Sequence, residues 1–350
     1  MSVTPETGTL VLADLTGYTA YLSRGEIEHA PVIAGDLLET VVGRLEPPFR
    51  LAKLEGDAAF LFVEDGRADG SLQLDAIEAA FVAFKRRVRS IDNATTCDCT
   101  SCAMAPRLDL KIFVHHGSFV RSRIAGRDEL AGADVILAHR LLKGAAASER
   151  QAGFAQFTAA SVVALGIEPR EAGMTAARES FEHIGEIDTW LLDLEGRWAT
   201  ESDRRRREIE PGSAIVDESV DVAADPADCW AHLTAPALRP RWEGPIVITE
   251  LGGGARRGIG TTAQCVTGRL ATLEEVVDWQ PFDHAGWRLT VPSIGAVDAT
   301  ADLEPIDGGT RVRLRWAVRS ADSPVAADIA RVRAERRAAL DRLAQVLVHP

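Results

Sequence analysis

The sequence predicts an α+β protein with two domains, and three features of the chain indicate it. Over residues 1–194, apolar runs typical of buried strands alternate with stretches of helical periodicity in the order β-α-β-β-α-β. Residues 195–213 are charged, contain a run of four arginines and end near Pro-Gly, as an interdomain linker does. Residues 214–350 begin with one strand and a short helix, continue with closely spaced strands and finish in a long helix. We therefore expect a ferredoxin-like domain followed by a curved sheet that grips a helix.

The first-domain elements follow from periodicity. TLVLADL predicts a central buried strand, and residues 27–45 and 72–88 carry apolar side chains at helical spacing. Between these two helices, RLAKLEGDAAFLF predicts two short strands joined at Gly56. LDLKIFVHHG predicts a further strand, GADVILAHRLLKGA a helix, and FAQFT and ESFEHIGEI later strands. Together these segments supply the β-α-β-β-α-β unit and an extension of it.

The second-domain elements start with the alternating strand AIVDESVDV and with DPADCWAHLT, a helix opened by Asp225 with proline at its first position. Strands follow near Ile246 and Thr262, and further strands cover residues 273–279, 287–291, 297–303 and 312–318. Residues 323–348 form the final helix. This arrangement leaves a cavity between sheet and helix.

Composition narrows the class of protein. The chain has 350 residues, 46% of them hydrophobic, which is enough for two packed cores. A formal net charge of −13 argues against binding nucleic acid through its phosphates. The sequence shows neither a signal peptide nor an apolar run near the ~20 residues that span a bilayer, so we expect a cytoplasmic protein with no membrane partner. Its 5 cysteines do not make a disulfide framework.

Charged residues stand where the predicted hairpin core should be apolar. Lys53, Glu55 and Asp57 surround its turn, and a solvated β-turn would explain this window alone. However, LADLTGYT ends the first strand with Asp14 and turns through Gly17 into a helix. Two carboxylates that meet at one sheet edge repel each other unless a cation lies between them. The alternative interpretation is a helix N-cap for Asp14 and a turn for Asp57.

These motifs, in this order, resemble the class III nucleotide (adenylate and guanylate) cyclases over roughly residues 8–192, and most closely a divergent bacterial branch. The resemblance implies that Asp14 and Asp57 bind Mg²⁺ or Mn²⁺. It also implies that Lys53 and Glu129 contact the purine of a nucleoside triphosphate. The helix start that contains Gly17 and Thr19 lies where the family cradles phosphates. Family active sites form between two subunits, so the resemblance implies a homodimer.

The last predicted helix of the first domain departs from the family pattern. Active members carry an asparagine that positions the ribose, and here that position is Ile136, which can neither donate nor accept a hydrogen bond. The base-reading aspartate is replaced by Glu129. Arg140 is retained at the position that stabilises developing phosphate charge, although a structural salt bridge is the alternative role. We therefore expect nucleotide binding with weak or lost cyclase activity.

A cysteine cluster, CDCTSC, follows the second predicted helix. Cys97, Cys99 and Cys102 are close enough in sequence to bind one Zn²⁺, with a fourth ligand from His115, His116 or a partner chain. Reduced thiols in a surface loop are the alternative.

The second domain resembles the START-like (SRPBCC, polyketide cyclase-like) helix-grip superfamily, most clearly in VDVAADPADCWAHLTAPALRPRWEG. The resemblance implies a site for a hydrophobic small molecule. Trp242, Trp279 and Trp287 are candidates for its lining, although each could simply pack in the core.

The leading hypothesis is a signalling-type protein that joins a nucleotide-binding domain to a hydrophobic-ligand domain. The competing hypothesis is a carrier of hydrophobic ligands whose first domain is a dimerisation scaffold. An enzyme in the second-domain pocket ranks last, because no acid–base pair is identifiable there.

Overall fold

The structure is a computed structural model that describes residues 4–26, 28–94, 99–124, 126–146, 153–203, 206–251, 257–319 and 326–348. It divides into two compact units, Met1–Arg204 with Gly254–Arg256, and Arg205–Gly253 with Arg257–Pro350. Both units combine helices with an extended sheet, which confirms the α+β class. Among the described helices, none is long and apolar enough to cross a membrane.

The first unit is built on an eight-stranded sheet in the order β2-β3-β1-β4-β6-β8-β7, with β5 paired to β4. Its strands are β1 Glu6–Thr16, β2 Arg50–Glu55, β3 Ala58–Glu64, β4 Asp109–Ile124, β5 Arg127–Ala131, β6 Phe154–Thr158, β7 Thr175–Phe181 and β8 Gly185–Asp193. Its helices are α1 Tyr18–Arg24, α2 Ala30–Leu45, α3 Gly70–Ala94, α4 Thr100–Met104, α5 Ala133–Leu141, α6 Ala159–Ala164 and α7 Leu194–Asp203.

The order β2-β3-β1-β4 is that of a ferredoxin-like unit, and these pairs are all antiparallel. Strand β1 lies in the middle because its apolar run has no polar face. Leu10, Val11 and Leu12 are fully buried. The predicted ferredoxin-like arrangement is therefore confirmed.

One face of this sheet packs against α5. The cluster contains strand residues and helix residues, namely Leu10, Leu12, Phe60, Phe62, Phe113, Phe119, Phe154, Leu191, Val135, Ala138 and Leu141. Burying a side chain of this size stabilises the fold by about 1.5–3 kcal/mol. The cluster thus fixes α5 over β1, β3 and β4.

The start of α5 is held by a polar contact that needs a glycine. The Asp134 carboxylate accepts a hydrogen bond from Ser118 N at 2.7 Å and lies 3.2 Å from His115 Nε2. A Cβ added at Gly117 would lie only 2.3 Å from Asp134 Cγ. The glycine of the HHG motif is therefore required by the close approach of α5 to β4.

Two sequence predictions in this unit need correction, and one strand was not predicted. ESFEHIGEI is not one strand: β7 and β8 meet in a turn where His183 has φ 68. Strand β5 had no predicted counterpart, because its sequence is polar and it pairs only with β4. The predicted linker begins as helix α7, which belongs to the first unit.

Two ion pairs and a buried tryptophan hold helix α7 against the first unit. Lys85 Nζ lies 2.8 Å from a Glu195 carboxylate oxygen, Arg197 pairs with Glu78, and Trp198 is buried. A charged composition suggested a solvated linker, but here the charges pair with a neighbouring helix.

The second unit is a seven-stranded antiparallel sheet in the order β10-β11-β12-β13-β14-β15-β9. Its strands are β9 Val216–Val222, β10 Val247–Leu251, β11 Thr262–Thr267, β12 Leu270–Gln280, β13 His284–Val291, β14 Gly295–Ile306 and β15 Gly309–Val318. Its helices are α8 Pro226–Thr234, α9 Pro240–Glu243 and α10 Ala326–Val348. The buried face of α10 consists of Val332, Ala339, Leu340, Leu343 and Leu347. This is the predicted sheet that grips a long C-terminal helix.

We predict that Gly117→Ala lowers the free energy of unfolding of the first unit by about 1–3 kcal/mol, because the new methyl group overlaps the Asp134 carboxylate. Gly43→Ala is the matched control. Gly43 lies in α2 with nothing within 4 Å of an added Cβ, so alanine should stabilise by about 0.5–1 kcal/mol. Chemical denaturation measures both changes. Equal effects of the two substitutions would contradict the close-approach account.

Candidate functional site

Asp14 and Asp57 lie side by side where β1 meets the β2–β3 hairpin. Asp14 is opposite Ala58 in the β1–β3 pairing, and Leu15 N donates a hydrogen bond to Asp57 O at 3.0 Å. Gly56 has φ 67 at the first position of the two-residue turn, a conformation that a glycine adopts without strain. The turn chemistry of the hairpin therefore sets the position of Asp57.

The pKa of Asp14 reflects its proximity to Asp57. Burial and then the neighbouring Asp57 carboxylate raise the pKa of Asp14 to about 6, while Lys111 opposes the shift. Among the described residues, no hydrogen bond or ion pair holds the Asp14 or the Asp57 carboxylate. The N-cap alternative for Asp14 is wrong, since α1 is capped by Gly17 and receives no side-chain cap.

The donor set at this edge suits a hard divalent cation. Thr16 lies two residues after Asp14 on the same face of β1, and its hydroxyl is buried without a described hydrogen-bond partner. Two carboxylates and a hydroxyl oxygen are ligands that Mg²⁺ and Mn²⁺ prefer. Gly17 and Thr19 are exposed at the beginning of α1, beyond that edge. The residues present therefore fit a divalent-metal site.

Lys111 is a basic residue that the sequence interpretation overlooked. It is opposite Asp14 in the β1–β4 pairing and is only 5% exposed. Burial lowers its pKa, and Asp14 and Asp109 act in the opposite direction. A lysine in the apolar run LDLKIFV was the available signal. Its ammonium partly neutralises the carboxylate edge.

The predicted base-reading pair also comes together. Lys53 Nζ lies 3.1 Å from Glu129 Oε2 and 2.9 Å from Glu55 Oε1. Glu55 in turn lies 2.9 Å from His139 Nε2. A hydrogen bond from Lys53 to Glu55 is the main reason that the pKa of Lys53 is raised. Four residues from β2, β5 and α5 thus form one half-buried polar network.

His139 could not be identified from the sequence. Its Nδ1 lies 2.8 Å from Val135 O, and its ring packs edge-on against Phe60 at 4.8 Å. The first contact lies within α5, whereas the second depends on how α5 packs on the sheet. Nothing in the local pattern around His139 signals the long-range contact with Glu55.

Ile136 and Arg140 are both exposed and lie one helical turn apart on α5. Ile136 is 58% exposed, but several other large hydrophobic side chains are exposed too, so its exposure alone indicates no function. No ion pair to another described residue engages Arg140, so the salt-bridge alternative finds no support in the described part of the chain.

The described cysteines of the cluster lie beside a histidine that the sequence interpretation did not name. Cys99 and Cys102 lie beside His29, whereas Cys97 lies outside the described residues. The proposed ligands His115 and His116 are wrong for the described thiols. His115 hydrogen-bonds to Thr158 at 2.9 Å and His116 to Asp65 at 2.9 Å. Both rings therefore contact residues outside the cysteine segment.

The second unit has a cavity of ≈ 50 Å³ between its sheet and α10. Trp242 and Trp287 line it, but Trp279 does not; its ring packs on Trp230 at 4.7 Å. The assignment of Trp279 to the cavity is wrong, because its side chain lies on another part of the sheet. Ligand sites for small molecules usually measure ~300–1,000 Å³, so this cavity is too small to hold such a ligand.

The cavity wall is also more polar than predicted. Arg239 pairs with Glu243 at 2.5 Å and with Glu274 at 3.0 Å, and Arg336 lies 3.4 Å from Glu243. Coulombic attraction to Glu243 and Glu274 outweighs burial and raises the pKa of Arg239. A buried ion-pair network therefore lies next to the tryptophans.

Two family profiles match the chain. The profile of a family described as a protein of unknown function (DUF2652) matches residues 34–150. The profile of the family "Polyketide cyclase / dehydrase and lipid transport" matches residues 213–348, and this confirms the predicted resemblance of the second unit.

An uncharacterized protein of Mycobacterium tuberculosis, Rv2561/Rv2562, is 34% identical to this chain over 158 residues, which are 45% of this chain and 72% of the relative. Among solved structures, the guanylyl cyclase Cya2 is similar with a TM-score of 0.42 and 13% identity, covering 55% of this chain and 94% of its own. The adenylyl cyclase CyaB from P. aeruginosa gives 0.41 and 14%, covering 60% and 100%.

We predict that Asp14→Asn stabilises the metal-free protein at pH 7. The folded-state pKa of about 6 lies above the ordinary 3.8, so stability is lost as pH rises between these values and Asp14 is strained when ionised. After allowance for solvent screening, the gain is about 1–2 kcal/mol at pH 7 and vanishes below pH 4. Chemical denaturation in EDTA at both pH values measures it. A destabilised variant at pH 7 would show that the carboxylate is internally satisfied.

Proposed function

The chain belongs to the same family as the mycobacterial protein Rv2561/Rv2562, and we propose that its first unit binds a nucleoside triphosphate together with divalent cations. The observation that carries this proposal is the convergence of Asp14 and Asp57, whose carboxylates make no hydrogen bond or ion pair with any described side chain. Divalent cations relieve the repulsion between such carboxylates and bridge the phosphates of a nucleotide.

Asp14, Asp57 and the Thr16 hydroxyl would hold the cations. When bound, these cations supply positive charge to phosphate oxygens in a protein whose net charge is −13. Lys111 is too deeply buried to reach solvent, so its role is to lower the cost of ionising Asp14 before the cations arrive. The chain would therefore bind phosphates through cations rather than through a basic surface.

Lys53 and Glu129 would read the base. An ammonium donates and a carboxylate accepts, so the pair can meet both kinds of group on a purine edge. In the structure the two side chains form an ion pair. Lys53 also pairs with Glu55, which in turn contacts His139. A base must therefore insert between Lys53 and Glu129 and exchange their ion pair for its own hydrogen bonds.

Ile136 and Arg140 limit the chemistry that can follow. Arg140 offers an exposed guanidinium that can offset phosphate charge, but Ile136 beside it can make no hydrogen bond to a ribose. The residues support binding of a nucleotide more strongly than its cyclisation. A homodimer, in which one subunit contributes α5 to the other's carboxylate edge, is part of this proposal.

For the second unit we propose a ligand with an apolar body and a polar group. Trp242 and Trp287 supply apolar surface, and the Arg239–Glu243–Glu274 network supplies charge at the same cavity. The cavity has to enlarge from ≈ 50 Å³ for such a ligand to enter, for example by movement of α10.

The scaffold alternative is favoured by one observation. Lys53 is already paired with Glu129, and the Lys111 ammonium lies close enough to lower the pKa of Asp14, so both predicted binding regions have a group of opposite charge nearby. If these charges neutralise each other in solution, the first unit would bind no nucleotide, and the chain would act as a carrier through its second unit.

We predict saturable binding of a fluorescent ATP or GTP analogue to the full-length chain in the presence of Mn²⁺. Asp57→Asn should remove metal-dependent binding, and Lys53→Gln should weaken binding at least about tenfold, because a charge-assisted hydrogen bond is lost. Asp92→Asn, an exposed acid on α3, is the matched control and should bind as the parent does. Absence of binding for every nucleoside triphosphate tested would favour the scaffold alternative.

We predict that Ile136→Asn increases the production of 3′,5′-cyclic nucleotide at least about tenfold over the parent chain, since one well-placed hydrogen bond is worth ~100-fold or more in a transition state. Mass spectrometry of products formed with Mn²⁺ measures it. Ile136→Val controls for the change of side-chain size. A variant that binds nucleotide but makes no cyclic product would show that Ile136 is not the residue that limits cyclisation.

A further inference from the structure

His29, Cys99 and Cys102 bring their ligand atoms to one point of the first unit. His29 Nδ1 lies 3.2 Å from Cys99 Sγ and 3.7 Å from Cys102 Sγ, and the three atoms all lie within 4.8 Å of one another. His29 directly precedes α2, while the cysteines belong to the segment around α4. Two stretches of chain 70 residues apart thus meet at a nitrogen and two sulfur atoms.

The spacing of these atoms matches a tetrahedral metal site. With Zn–S near 2.3 Å and Zn–N near 2.0–2.1 Å, ligand atoms of one Zn²⁺ are separated by about 3.6 Å. The two observed N–S distances, 3.2 and 3.7 Å, lie on either side of this value. Imidazole and thiolate are the ligands that Zn²⁺ prefers, whereas the oxygen donors near Asp14 suit a harder ion.

The cluster is held in place by other contacts. The Glu26 carboxylate accepts hydrogen bonds from Thr100 N at 3.0 Å, from Ser101 N at 2.8 Å and from Ser101 Oγ at 2.9 Å. These bonds lower the pKa of Glu26. Glu26 thereby ties the chain just before His29 to the helix that carries the cysteines. Such supporting contacts are typical of metal sites.

Further contacts restrict the backbone on both sides of the cluster. Cys99 Sγ accepts a hydrogen bond from Cys102 N at 3.4 Å, as the cap of α4. A Cβ on Gly25 would lie 2.5 Å from Ser101 Oγ, so only glycine permits this approach. The ligand atoms are therefore positioned by the fold itself.

A second observation comes from Tyr21. Its side chain is 1% exposed, and its hydroxyl has no described hydrogen-bond partner. A buried hydroxyl without a described partner indicates that the pocket around it holds a further polar group.

We propose that His29, Cys99 and Cys102 bind one Zn²⁺ that joins the start of α2 to the segment preceding β4. Three protein ligands leave a fourth coordination position for water or a further thiolate. The site is separate from the carboxylate edge and does not depend on nucleotide binding. The bound ion would stabilise the segment that leads from α4 into β4, the strand in which Lys111 lies opposite Asp14.

Metal analysis of the full-length protein, purified under reducing conditions without a chelator, tests the proposal. We expect about one Zn²⁺ per chain, and after exchange to Co²⁺ we expect the intense visible bands of tetrahedral cobalt with a thiolate charge-transfer band. Cys102→Ser and His29→Ala should each weaken Zn²⁺ binding at least about 100-fold, and Glu26→Gln about tenfold. A chelator should lower the Tm of the parent chain but not that of Cys102→Ser.

Cys265→Ser and His183→Asn are matched controls in other parts of the chain and should retain the metal. Far-UV circular dichroism shows whether each variant is folded, and the Co²⁺ spectrum of Cys99→Ser provides a second variant if Cys102→Ser unfolds. Reduced, folded protein that binds neither Zn²⁺ nor Co²⁺ would overturn the proposal. So would metal binding that survives in His29→Ala and Cys102→Ser alike.

Discussion

The placement of β1 between β3 and β4 is the constraint on which the rest of the first unit depends. This pairing sets Asp14 opposite Ala58 on one side and opposite Lys111 on the other. It therefore brings a second carboxylate, Asp57, and a buried ammonium to the same edge. A slip of one residue in either pairing would turn Asp14 to the other face of the sheet and would separate these charges.

The charges at this edge lower the stability of the folded chain. Other contacts in the first unit hold them in position despite this cost. Burial and repulsion raise the pKa of Asp14, so an ionised edge is strained at neutral pH without a cation. The apolar cluster under α5 and the closely packed Gly117–Asp134 contact hold the geometry against that strain. Strain of this kind at an otherwise well-packed edge is typical of binding sites.

Local patterns predicted the parts of the structure that depend on local chemistry. The apolar run of β1, the Gly56 hairpin and the periodicity of α2 and α3 are encoded in consecutive residues, so they were recognisable. Strand β5 was not recognisable, because a short polar hairpin extension has no apolar signature. Helix α7 was mistaken for a linker because its salt bridges with Lys85 and Glu78 involve residues far away in sequence.

The same distinction applies to the candidate sites. Asp14, Asp57, Lys53 and Glu129 were predicted through motif order and the family resemblance, and in the structure they lie in two groups. Lys111, His139 and His29 were not predicted, since their contacts with Asp14, Glu55 and the cysteines exist only after distant strands and helices pack together. The Trp279 assignment failed for the same reason: its ring lies on the same face of the sheet as Trp287, but it packs against Trp230, a residue far away in sequence.

The most direct test of the account is a crystal structure of the protein soaked with Mn²⁺ and a non-hydrolysable triphosphate, with anomalous data collected at the manganese edge. The account predicts anomalous peaks between the Asp14 and Asp57 carboxylates, bridged by phosphate oxygens. Density without manganese, in which the Lys111 ammonium forms a direct ion pair with Asp14, would contradict it.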